Sequence, residues 1–418
     1  MKNITIAFII TVLFFTIWSY NRSPQVLQML DTAFNYTNGL IDSLAAAIIH
    51  RPITVTELKD KYISKDKKVR VLIVPGHEPN YGGSEYRDLK ERDMNVELAT
   101  YLGEFLKNNS KYDVMLARDK DNWSPTLLNY FNNYWDNITT FMKDSVNERK
   151  NLIAIGEAKK TVATVYHNTA RTDVATRLYG INKWSNDNRV DIVIHIHFND
   201  YPRKNTSAEG KYSGFTIYIP ESQYDNSVTT KLIAETVFKR LAKYNAYSNL
   251  PTEQGGFVEE PDLIAIGSHN TLDSASMLIE YGYIYEWQFA NADIRSATMK
   301  DLAFETYLGL QDFFGVGKDI AYAYDTLMLP YSWKEGFDSN TKNSQDVLAL
   351  QTALILDGVY PPQGKDKNSC PRTGNIGPCT KAAIVEFQNK YNIKGENGVI
   401  GKQTNKLLND RYSVKTIY

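Results

Sequence analysis

His77, Glu91, His197 and Glu280 are the residues of this 418-residue chain whose types and positions could do chemistry together. Each falls where the pattern ends a strand or begins a helix. Two imidazoles and one carboxylate make a ligand set for a catalytic Zn2+, one per chain, with the fourth position left for water. A second carboxylate, not itself a ligand, is then needed as general base, and Glu280 supplies it from a different strand. His195 competes with His197, because period-2 alternation puts both on one face of their strand. His197 lies nearer the carboxyl end, which favours it, and His195 reads as a residue behind the ligands. His269, in the loop before the last strand, is a candidate for touching substrate. His167 and His50 sit in helical patterns and read as surface residues.

The elements that position these residues are legible. VRVLIV, Val69 to Val74, is short, apolar and rich in β-branched residues, as a buried strand should be. Pro75 and Gly76 stop it and deliver His77. A loop with Gly82 and Gly83 leads to Glu91, which opens a helix with Met94, Leu98, Tyr101, Leu102 and Phe105 at helical spacing. Tyr112–Arg118 is a second strand. A long helical stretch follows from Ser124 to about Gly180, with an amphipathic middle at Asn151–Tyr166. VDIVIHIH, Val190–His197, is a third strand, with Ile192, Ile194 and Ile196 on one face and Val193, His195 and His197 on the other. Gly214–Ile219 and Ala275–Glu280 are further strands, and Ser227–Tyr244 and Asp293–Phe314 are helices. Ligands of open α/β sheets gather outside the carboxyl ends of strands, where these site residues fall.

Composition frames the rest. Hydrophobic content of 43% and charged content of 23% are those of globular domains, and a net charge of −1 gives no sign of nucleic-acid binding. The two cysteines, Cys370 and Cys379, are close enough for a small-loop disulfide, which implies an oxidising compartment. The run Ile4–Trp18 is apolar and uncharged, between Lys2 and Arg22. It is at the short edge of the ~17–25 residues that span a bilayer. WSYNRSPQ lacks the small-residue pair of a cleavage site. The run therefore reads as an uncleaved signal anchor, with cleavage and secretion as the alternative.

IVPGHEPNYGG, with ERDMN after it, resembles the opening motif of the zinc-dependent N-acetylmuramoyl-L-alanine amidases of bacterial cell walls. HIHFN and SMLIEYGYI resemble later motifs of that family, in the same order. The resemblance covers about Val69 to Phe314. It implies an α/β domain with a twisted mixed sheet flanked by helices. It also implies His77, Glu91 and His197 as zinc ligands, Glu280 as catalytic base and Asn199 beside the site, with cleavage of the amide between N-acetylmuramic acid and L-alanine. His195 stands where the family usually has serine, and the long helical insertion, about 120–185, is not in the minimal pattern. LALQTALILDGVY, TKAAIVEFQNKYNI and NGVIGKQTNKLL resemble the three-helix peptidoglycan-binding module.

The expected order is therefore a membrane helix (1–22), a helical juxtamembrane linker (23–66), the amidase domain (67–316), a connector (317–342) and a small all-α domain (343–412). The expected partners are peptidoglycan, a membrane, and an activator protein acting on the insertion. The expected location is extracytoplasmic. Two other readings are a catalytically silent wall-binding or regulatory protein, and a zinc peptidase acting within the stem peptide. The anchor reading predicts that the protein stays in the membrane fraction after a carbonate wash. An N-terminus near Ser23, found by sequencing, would show cleavage instead.

Overall fold

β-Branched runs make the sheet of this computed structural model, which describes residues 51–414 apart from 168, 267–269, 272, 318–322, 335, 336 and 338–343. The Ile4–Trp18 run, most of the linker expected at 23–66, His50 and His269 lie outside the described residues. Among the described residues no helix is long and apolar enough to cross a membrane.

The first helix, α1 (Val55–Ile63), starts with a capping box in which Thr54 and Glu57 satisfy each other's backbone donors. Strand β1 (Val69–Pro75) leads through a two-strand hairpin, β2 (Glu85–Tyr86) and β3 (Leu89–Lys90), to α2 (Glu91–Lys107). Then come β4 (Tyr112–Leu116), α3 (Pro125–Ala154), α4 (Thr172–Asp187), β5 (Ile192–Asn199), β6 (Thr216–Pro220) and α5 (Ser227–Tyr244). The domain closes with β7 (Phe257–Glu260), β8 (Ala275–Tyr283), the single turn α6 (Trp287–Ala290) and α7 (Ala292–Phe313). The main sheet has the order β4-β1-β5-β8-β6-β7. The first four strands are parallel, β6 runs antiparallel to β8, and β7 is parallel to β6.

Alternation along the strands decides the two faces. Ile192, Ile194 and Ile196 join Val71, Ile73, Met277 and Ile279 in the larger core, which α2, α5 and α7 cover. The other face carries Leu72, Val74 and Val193, packed by Phe131 and Ile138 of α3 and Tyr179 and Ile181 of α4. Further along that face, Tyr218, Val258 and Leu278 pack with Val165.

The insertion departs from expectation in its middle. The amphipathic pattern at Asn151–Tyr166 is helical only to Ala154, where α3 ends, and residues 155–167 and 169–171 are not helical. Gly156 takes φ +81°, and its N–H and that of Glu157 bond back to Ile153 and Leu152. That is the left-handed stop that glycine makes available at a helix end. Ile155 and Val162 then lie exposed instead of burying as the pattern suggested. The helices of the insertion serve as cover for the sheet, whereas the described residues from Ala163 to Arg171 form a strap against the site.

The C-terminal domain has the three expected helices, α8 (Ser344–Leu356), α9 (Pro378–Lys390) and α10 (Lys402–Tyr412). Leu350, Leu354, Ile384, Phe387 and Leu408 form its core. Cys370 and Cys379 are joined as a disulfide. The loop they close carries Arg372, which is buried against the amidase-like domain. Its Nη2 lies 2.9 Å from Asp301 and 3.6 Å from Glu305, both on α7. It also donates to Asn245 at 3.3 Å. Burial first, and then Asp301, pushes the Glu305 carboxyl well above its usual range. Removing one partner of a buried ion cluster leaves the others uncompensated, at a cost of ~3–5 kcal/mol. Arg372→Met should therefore lower unfolding free energy by about that amount in guanidinium denaturation. A loss under about 1 kcal/mol would place the cluster among ordinary surface pairs.

Candidate metal centre

The end of β1 is held in a demanding shape. His77 has φ +67°, a conformation that non-glycine residues seldom adopt and that collects at functional sites. Gly76 has no room for a side chain, since a Cβ there would lie 2.1 Å from the His197 ring. The close approach of that imidazole to the β1 backbone therefore requires glycine. Arg118, 1% exposed, clamps the turn by donating to the carbonyls of Pro75, Gly76 and Arg92. Asn95, one turn along α2 from Glu91, donates to Gly76 O at 3.3 Å.

Into this frame come His77 after β1, Glu91 at the first turn of α2, and His197 on β5. Their ligating atoms all lie within 4.8 Å of one another. Glu91 Oε1 is 2.8 Å from His77 Nε2 and 3.0 Å from His197 Nδ1. His77 Nε2 nevertheless makes no hydrogen bond, so it faces the carboxylate oxygen out of hydrogen-bond alignment. Glu91 Oε2 accepts from Ser84 N at 2.8 Å, which fixes the carboxylate. Burial alone would raise the Glu91 carboxyl, but the imidazoles of His77 and His197 hold it well below its usual range. Burial pushes the His197 imidazole down, towards its neutral form. An anionic carboxylate and electron-rich ring nitrogens packed this closely call for a cation among them. The donor set is that of a catalytic zinc site.

Glu280 lies inside β8, not at its end, and is in register with His197 on β5 and Thr216 on β6. Residues in register share a face, so Glu280 stands beside His197. Its Oε2 is buried without a hydrogen bond. Burial first, then Glu91 and Glu253, raises its carboxyl well above the usual range. His195 shares this face but stays outside the ligand cluster. Burial, then the neighbouring His197, pushes its imidazole down to about 3, and the ring also bonds the Ala265 backbone. Asn199 donates 2.7 Å to Glu253, a buried acid that also accepts from Thr216, Tyr218 and Tyr283. Asn199 thus holds the acid that acts on Glu280. The sequence reading missed Glu253, and no local pattern marks it.

The ligands open onto a cavity of about 1070 Å³, whose walls include Tyr81, Trp123 and Arg177 on one side and Leu278 on its floor. Its roof is the strap at Ala163–Arg171. His167 is part of that strap, in a stretch without helix, so it is a cavity residue and not the surface residue its sequence pattern suggested.

Residues 71–312 match the N-acetylmuramoyl-L-alanine amidase family, over more than half the chain. The chain belongs to this family. Residues 343–408 match a peptidoglycan binding domain. Among solved structures, similar chains include the CwlD amidase from Clostridioides difficile, determined in complex with the GerS lipoprotein. It is 15% identical, covers 60% of this chain and 100% of its own, and has a TM-score of 0.39. The amidase Ami1 from Mycobacterium smegmatis is 13% identical, covers 60% and 99%, and has a TM-score of 0.38. The catalytic domain of CwlV from Bacillus (Paenibacillus) polymyxa var. colistinus is 16% identical, covers 60% and 98%, and has a TM-score of 0.33. No curated protein matches the chain.

A site built on three ligands should fail with the loss of one. His77→Ala is expected to bind far less zinc than wild type after dialysis, measured by elemental analysis, with the fold intact by circular dichroism. Equal zinc content in both proteins would remove His77 from the ligand set.

Proposed function

We propose that this amidase-family chain is a zinc-dependent hydrolase that cuts the amide joining the lactyl group of N-acetylmuramic acid to L-alanine in peptidoglycan. The observation that carries this reading is the cluster of His77, Glu91 and His197 with Glu280 in register beside it. The zinc would be held by His77, Glu91 and His197, and when bound would supply Lewis-acid polarisation and acidify water.

The chain's own residues account for the proton movements. Glu280 accepts a proton from the attacking water through its free Oε2. It keeps that proton well, because burial and the nearby acids Glu91 and Glu253 favour its protonated form. It then gives the proton to the departing amine of L-alanine, which leaves as a neutral amine and not as an unstable anion. Glu253, itself held by four donors, keeps a negative field behind Glu280 without competing for substrate. The strap closes the cavity on one side, which limits water to what the site admits.

The peptidoglycan binding domain would raise the local concentration of polymer at the site. The proposed setting is outside the cytoplasmic membrane, with the N-terminal run as the anchor. An activator, if one acts, would have to displace the strap.

Removing the proposed base separates metal binding from turnover. Glu280→Gln is expected to keep wild-type zinc content and lose about 10²–10⁴ in kcat, the usual worth of a positioned general acid or base. The measurement is release of stem peptide from purified muropeptides, identified by mass spectrometry. Near-wild-type turnover would take Glu280 out of that role, and release of a shorter peptide would move the cleaved bond into the stem.

A further inference from the structure

Glu260, on β7, is fully buried, and neither of its carboxylate oxygens accepts a hydrogen bond from the described residues. Burying a carboxylate away from both water and donors is unfavourable unless a partner meets it. Glu253 makes the contrast within the same sheet. It is as deeply buried, yet accepts from Asn199, Thr216, Tyr218 and Tyr283.

The position of Glu260 shows where a partner could come from. Pro220 is its register partner on β6, and Tyr218, two residues earlier, pairs with Leu278. Glu260 therefore lies on the face that carries Leu278, His195, His197 and Glu280, and it lines the same cavity. The other carboxylates of that cavity are taken. Glu78 accepts from Arg177 and Trp123, Asp262 from Arg149, and Glu91 faces its imidazoles. Among the described residues the ionisable group beside Glu260 is His167, whose Nε2 is 3.6 Å from Oε2 and also lacks a hydrogen bond. The edge contact of the His167 ring with Tyr218, at 5.5 Å, orients it. Three unsatisfied nitrogen and oxygen atoms thus converge: two carboxylate oxygens and one ring nitrogen. An alkylammonium presents three N–H donors and a positive charge, which matches them in number and sign. A second metal is a poorer fit, since the two side chains fall short of a ligand set and only the His77 cluster has one among the described residues.

The spacing agrees. From Glu280 to Glu260 is two strand spacings across and about four residues along, on the order of 15 Å. Three residues of extended peptide span up to ~10 Å, and the four-carbon stem of a lysine-like side chain covers the remainder. We infer that Glu260, with His167 beside it, is the receptor for a protonated primary amine on the third residue of the stem peptide, a diamino acid, and so selects stems in which that amine is free. This inference rests on the peptidoglycan reading for its ligand, but binding can be read without hydrolysis.

The test uses the full zinc-loaded chain and two tripeptides of stem sequence, one with the side-chain amine free and one with it acetylated. Isothermal titration calorimetry should give the free form about ten- to a hundredfold tighter binding, the worth of a hydrogen bond to a charged group. Glu260→Gln should bind the two forms alike, His167→Ala should narrow the preference, and with the corresponding muropeptides the loss should fall on KM and not on kcat. Equal affinity of wild type for the two peptides, including binding of neither, overturns the inference, as does a Glu260→Gln variant that keeps the preference. The wild-type comparison needs no variant to fold. Amine-selective binding without cleavage of either muropeptide would sink the amidase reading and leave this subsite standing. Cleavage of both at equal efficiency would do the reverse.

Discussion

A carboxylate placed between two imidazoles is the arrangement on which the rest of this domain depends. Glu91 reaches both His77 and His197 within 3.0 Å, from the first turn of a helix whose neighbours come from two different strands. Such crowding of electron-rich atoms holds only if each is delivered on a rigid support. The supports are visible: a glycine that lets an imidazole lie against backbone, a histidine in left-handed conformation, and a buried arginine that binds the carbonyls of the turn. The strained backbone is at His77, directly after β1, which pairs with β4 on one side and β5 on the other.

Much of this was legible in the sequence because it is local. β1, the glycine loop and α2 are contiguous, and the strand period alone placed His195 and His197 together on the face opposite the isoleucines. The three helices of the C-terminal domain followed from the three short motifs, each a contiguous stretch, that resemble the peptidoglycan-binding module. What was not legible depends on contacts between distant segments. β7 is four residues with two glutamates, so it shows neither an apolar run nor clean alternation. Ile155 and Val162 imitate a helical stripe, and one glycine at position 156 ends the helix before they can use it. Arg118 is only the last residue of a strand in the sequence, yet three carbonyls from two other segments enclose it. Asn199 lies in a site motif but its amide serves Glu253, 54 positions away.

The insertion shows how one stretch of chain can carry two physical roles. Its helices bury Phe131, Ile138 and Tyr179 on the sheet and are scaffold in the ordinary sense. The stretch that leads from α3 into the strap is pinned at intervals, by Lys159 to Gln223, by Thr161 to Glu221, and by Val165 on Tyr218 and Leu278. Val162, between those points, and Tyr166, just past the last of them, are exposed. Segments with few buried contacts open at lower free energy than the core around them.

Arg372 fixes more than the stability of an interface. By entering the acids of α7 it turns the C-terminal domain from a grip on a leash into a grip on a rod. A leash lets the catalytic end sample every stem within its length, which raises encounter rates and leaves the sites of cutting scattered. A rod allows one offset and one angle. If the domain holds the polymer, the spacing between grip and cut becomes a stride length of the protein, written into the wall as a preferred distance between cleaved stems.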